Sequence, residues 1–82
     1  MNKDEAKLKT FETSELCLAV TLLYAGYPLE LVLRASPKSV FVFSWDPHLD
    51  QLIQSFWTGL LQVEPKRWFA CQREIKSRLY NQ

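Results

Sequence analysis

The chain has 82 residues, 48% of them apolar and 23% charged, and a net charge of +1. That is enough for one small core and too little for two domains, and the composition excludes a disordered chain. Near-neutrality also excludes bulk electrostatics as a guide to any partner. Charge is nevertheless uneven: residues 1–64 carry five cations against eight anions, a net of −3, and residues 65–82 carry five against one, a net of +4.

Residues 1–10 form a polar N-terminal segment, and residues 11–82 are expected to form a single globular domain. The charged opening lacks the pattern of a secretory signal. The apolar run "LCLAVTLLYAG" is about half the length that spans a bilayer. A cytoplasmic protein without a membrane segment is the expectation.

"LKTFE" (8–12) has the length of a short strand but poor alternation. "TSEL" then opens a helix over about 14–25. Thr13 or Ser14 can accept an orphan N–H, and Glu15 stands near the positive end of the helix dipole. Gly26 supplies the left-handed residue that closes the helix, and Tyr27-Pro28 commits the chain to an extended path.

"LELVLR" and "VFVFSW" read as a hairpin, about 29–34 and 40–45, turning through "ASPKS". A register with Arg34 opposite Val40 places Leu29, Leu31 and Leu33 on one face with Trp45, Phe43 and Phe41, and leaves Glu30 and Ser44 paired on the other. "WDPHL" starts a second helix, about 47–58, capped by Asp46 with Pro47 in its first position. Leu49, Leu52, Ile53, Phe56, Trp57 and Leu60 make its apolar stripe, and Gly59 ends it. "LLQV" (60–63) is a second doubtful strand, and Glu64-Pro65 opens a third helix, about 65–80.

These elements define an α+β domain, a small antiparallel sheet built on the hairpin with three helices. If 8–12 and 60–63 are both strands, the order becomes the βαββαβ of a ferredoxin-like core with an added C-terminal helix. Without them, it is a hairpin under three helices.

Three features bear on function. The third helix turns Trp68, Cys71, Ile75 and Leu79 inward and aligns Lys66, Phe69, Arg73, Lys76 and Tyr80 on a second strip. Cations interleaved with rings suit a nucleic-acid backbone and its bases, or a protein partner. The same charges also serve a plain surface helix, with Arg78 near the negative helix end and an i,i+4 pair of Glu74 with Arg78. The first helix is apolar around most of its circumference, leaving only Cys17, Thr21, Tyr24 and Ala25 for water. Either it is central, or Leu18 and Leu22 meet a partner or a second copy. Finally, "VFVFSW" has the aromatic alternation of a base-stacking strand but lacks the basic-glycine pair such strands follow, so Phe41 and Phe43 are expected in the core.

No reactive constellation emerges. His48 is the lone histidine, in the first turn of a helix. Cys17 and Cys71 form no metal-ligand spacing and are expected as reduced, small hydrophobic core residues. Both glycines are helix stops, so no phosphate-cradling loop exists. The expectation is a non-catalytic interaction module with no cofactor, no metal and no small-molecule substrate. Its partner would be a protein or a second copy, with nucleic acid the alternative.

The segments "FETSEL", "AGYPL", "FVFSWDP", "FWTGLLQVEP" and "IKSRLY" resemble a family of short bacterial domains of unknown function across residues 11–80. Its members open on Phe-x-Thr-Ser-acid-Leu and close on a Lys-Ser-Arg-Leu-Tyr-like segment, more usually with aspartate where Glu15 and Glu64 stand. The resemblance implies the domain boundaries and a bacterial origin, and no activity or functional residue.

Overall fold

The computed structural model describes residues 9–34 and 38–80. Most of the polar N-terminal segment and the middle of the hairpin turn lie outside the described residues. The elements are β1 (Thr10–Thr13), α1 (Leu16–Tyr24), β2 (Leu29–Leu33), β3 (Val40–Ser44), α2 (Pro47–Thr58) and α3 (Pro65–Tyr80). The sheet order is β1-β3-β2 with both pairings antiparallel. β1 and β2 therefore run parallel on either side of β3, connected through α1, a split βαβ arrangement.

The first doubtful strand is real, shifted to Thr10–Thr13. The second is not: residues 60–64 form no strand. Their backbone is engaged elsewhere. Leu60 N–H closes α2 on the Ser55 carbonyl, and Glu64 N–H donates to the Tyr24 hydroxyl at 2.8 Å. The fold is thus a three-stranded antiparallel sheet with three helices, and the fourth strand of a ferredoxin-like sheet is not formed at 60–63.

The helices start and stop where local chemistry dictates. Thr13 Oγ1 accepts the Glu15 N–H at 3.0 Å, turning the chain from β1 into α1. Gly26 (φ 103°) closes α1, with its N–H on the Leu23 carbonyl and that of Tyr27 on the Leu22 carbonyl. Asp46 caps α2 by accepting the Leu49 N–H at 2.9 Å, ahead of Pro47.

The hairpin register differs from the expected one by one residue at Leu31–Leu33 and by two at Leu29. Leu33 pairs with Val40, Val32 with Phe41 and Leu31 with Val42, and an irregularity between Leu29 and Leu31 then sets Leu29, expected opposite Trp45, against Phe43. Strict alternation would put Leu29 and Val32, three residues apart, on opposite faces. The bulge lets both turn inward, where they are buried with Phe41 and Phe43. Leu31 is consequently on the face away from Phe43 and is 49% exposed, whereas Phe43 is fully buried. The Glu30–Ser44 pairing survives as a side-chain hydrogen bond of 3.0 Å.

One core joins all three helices to the inner sheet face, with Leu18, Val20, Leu22, Phe43, Leu49 and Ile75 fully enclosed. Each such side chain contributes about 1.5–3 kcal/mol through removal from water. α1 is the central helix. Leu18 and Leu22 are buried, which corrects their candidacy as an interface: no partner can reach them in this fold. Two further expectations fail at surfaces. Cys17 is exposed, in line with its place on the open side of the first helix and against its expectation as a core cysteine. Trp57 in the last turn of α2 and Leu60 just beyond it are exposed although both were expected in the α2 stripe.

Candidate interaction surface on the C-terminal helix

Glu64 caps the start of α3 with both of its carboxylate oxygens. Glu64 Oε1 accepts the Arg67 N–H at 2.9 Å, and Oε2 accepts the Lys66 N–H at 3.1 Å. These two bonds, Arg67 first, hold the Glu64 carboxyl below its ordinary carboxylate range. The Arg67 guanidinium lies 4.5 Å over the Tyr24 ring, a cation–π contact that ties the start of α3 to the end of α1.

One turn on, the Trp68 indole N–H donates to Thr21 Oγ1 at 3.1 Å, and that hydroxyl donates to the Cys17 carbonyl at 2.8 Å. Thr21, expected to face water, is therefore buried and satisfied. Trp68, Cys71, Ile75 and Leu79 pack into the core as expected.

The far end is held by arginines. Arg78 donates to the Leu29 carbonyl at 2.9 Å, in place of the expected pairing with Glu74. Arg34 donates to the Leu79 carbonyl, placing a cation on the negative end of the helix.

Three arginines are thus consumed by the architecture, and the remaining cations of α3 are sorted from them by position. Lys66, Phe69, Arg73, Lys76 and Tyr80 are all exposed. They fall within about 80° of helical arc, which begins about 60° around the helix from Leu79 and is centred about 135° from the buried stripe. Phe69 is 51% and Tyr80 72% exposed. Phe69 and Trp68 meet edge to face with centroids 5.3 Å apart, which packs the exposed ring beside the half-buried indole. Among the described residues, Lys66, Arg73 and Lys76 have no side-chain partner. All five residues that helical spacing placed on the strip are exposed. The Thr21, Tyr24 and Arg34 anchors on the buried side and at the ends of α3 were not legible in the sequence, a threonine in an otherwise apolar helix being the one local signal.

The other candidates fare differently. Phe41 and Phe43 face the core, so the sheet offers no base-stacking aromatic pair from β3. His48 lines a shallow depression of about 260 Å³ with Ala25, Tyr27 and Leu52. The Tyr27 hydroxyl there is committed to Asp46 Oδ1 at 2.7 Å. A second depression of about 330 Å³, between Ser14, Leu16, Lys38, Ser39, Phe41 and Leu79, sits where α1 begins and α3 ends. No group of three or more His, Cys, Asp or Glu side chains among the described residues could hold a metal ion. No helix among them is long and apolar enough to cross a membrane.

The molecule is a small α+β domain whose C-terminal helix is anchored at both ends and offers a cationic, aromatic outer face. Residues 8–81 match the model of a family described as Domain of unknown function (DUF5659), and the chain belongs to that family. No curated protein and no solved structure matches it.

Proposed function

We propose that this chain is a small, non-catalytic interaction module of the bacterial cytoplasm that holds a macromolecular partner on the outer face of α3. One observation carries the reading: five side chains of a helix pinned at both ends by Glu64, Arg67, Arg78 and Arg34 are left exposed on a single arc. A rigid helix presenting rings and cations binds at low entropic cost, because its display needs no reordering on contact. The burial of Leu18 and Leu22 favours the face of α3 over that of α1.

The test uses the full chain labelled with nitrogen-15 in clarified bacterial lysate. Line broadening and shifts concentrated on residues 66–80 support the contact face. A spectrum unchanged there, or one perturbed on another surface, overturns it.

A further inference from the structure

Resting on that reading of the α3 face, we infer that its partner is a single-stranded nucleic acid. The strip runs from Lys66 to Tyr80, about 21 Å at ~1.5 Å per residue. Along it, cation, ring, cation, cation and ring succeed one another: Lys66, Phe69, Arg73, Lys76, Tyr80. Phosphates supply the negative charge that three cations lack among the described residues, and each open ring is a platform for an unpaired base. Single strands fit better than a duplex, whose bases already stack on one another and offer no face to Phe69 or Tyr80. An apolar protein surface would find three cations to desolvate. An acidic one would leave two large ring faces without a specific use.

Glu74 is the one anionic side chain of α3. It lies off the strip by about 80° or more of helical arc from Lys66, Phe69, Arg73, Lys76 and Tyr80. The strip itself is therefore uniformly positive. Arg67 and Arg78 are excluded from the site because Tyr24 and the Leu29 carbonyl hold them.

Fluorescence anisotropy with short fluorescein-labelled oligo-dT and oligo-U strands tests this. Three neutralised phosphates give a log–log salt slope of about −2, so affinity falls about 15-fold between about 50 and 200 mM salt. Phe69→Ala is expected to weaken binding about fivefold or more through loss of one stacked base. Arg73→Gln is expected to flatten the slope to about −1.4, and Lys76→Gln to do the same. His48→Ala, on another helix, leaves binding unchanged. Circular dichroism of each variant confirms that it is folded.

A flat signal at micromolar protein overturns the inference, as does binding indifferent to salt or to Arg73→Gln. The lysate experiment separates this failure from that of the contact face. Perturbation of residues 66–80 that disappears on nuclease treatment supports nucleic acid. Perturbation that survives nuclease keeps the face, assigns it to a protein, and overturns the nucleic acid.

Discussion

The indole N–H of Trp68 donates to the hydroxyl of Thr21 at 3.1 Å, joining the central helix to the C-terminal one inside the core. Thr21→Val keeps the shape and removes the acceptor. Loss of about 1–2 kcal/mol is expected, because the indole donor is left partly desolvated without a partner. Urea unfolding should show a lower midpoint with an unchanged slope. In the Trp68→Phe background the same substitution should cost much less, and equal costs in both backgrounds would remove the hydrogen bond from this account.

The bulge in β2 makes two neighbouring leucines energetically unlike. Leu29→Ala opens a cavity beside Phe43 and is expected to cost about 2–5 kcal/mol. Leu31→Ala, on the open sheet face, should cost less than about 1 kcal/mol. Denaturant midpoints of the two variants decide the matter, and comparable losses would restore the bulge-free register.

Two exposed carboxylates are favoured in their charged form by hydrogen bonds of the folded chain. Asp46 is held below its ordinary value of 3.8 by the Tyr27 hydroxyl and, against some desolvation, by the Leu49 N–H. Glu64 is held below 4.5 by the Arg67 and then the Lys66 N–H. Both have lower pKa values folded than unfolded, so the unfolded chain binds more protons in this range. Their contribution is present above the ordinary values and is lost as pH falls through the folded ones. Glu64→Gln and Asp46→Asn should each flatten the decline of Tm below about pH 4.5. A decline as steep as the parent's in the double variant would place the acid sensitivity elsewhere.

At the alkaline end, Tyr27 is pushed up to about 12 by desolvation, by its hydrogen bond to Asp46 and by the Asp46 charge. A raised folded pKa means stability that is complete below the ordinary value of 10.0 and lost as pH rises through about 12. Tyr27→Phe should remove the highest-pH step from the tyrosinate absorbance titration and lessen the fall in Tm over that interval. Persistence of the step would assign it to another tyrosine.

Much of the fold was legible because it is punctuated locally. Asp46-Pro47, Gly26, Gly59 and Glu64-Pro65 act through their own backbone geometry and nearest neighbours, so they mark the helix ends without reference to the rest of the chain. The five-residue strip on α3 was legible for a related reason: helical spacing alone collects Lys66, Phe69, Arg73, Lys76 and Tyr80 on one side. Resemblance to a family of uncharacterised domains was carried by that same punctuation.

By itself, then, the sequence determined an α+β domain, the three helices, the two strands of the hairpin and the membership of the C-terminal strip, all properties of residues near one another in the chain. Only the tertiary structure decided the rest. Leu31 went outward because the helices fill the inner face with Phe41 and Phe43, and a bulge was the way to bury Leu29 and Val32 together. Thr21 went inward because Trp68, 47 residues away, needed an acceptor. The chain at 60–64 stayed out of the sheet because Tyr24, 40 residues before Glu64, took its N–H. Side chains distant in sequence compete for the same buried volume and the same hydrogen-bonding groups, and no local pattern records who wins.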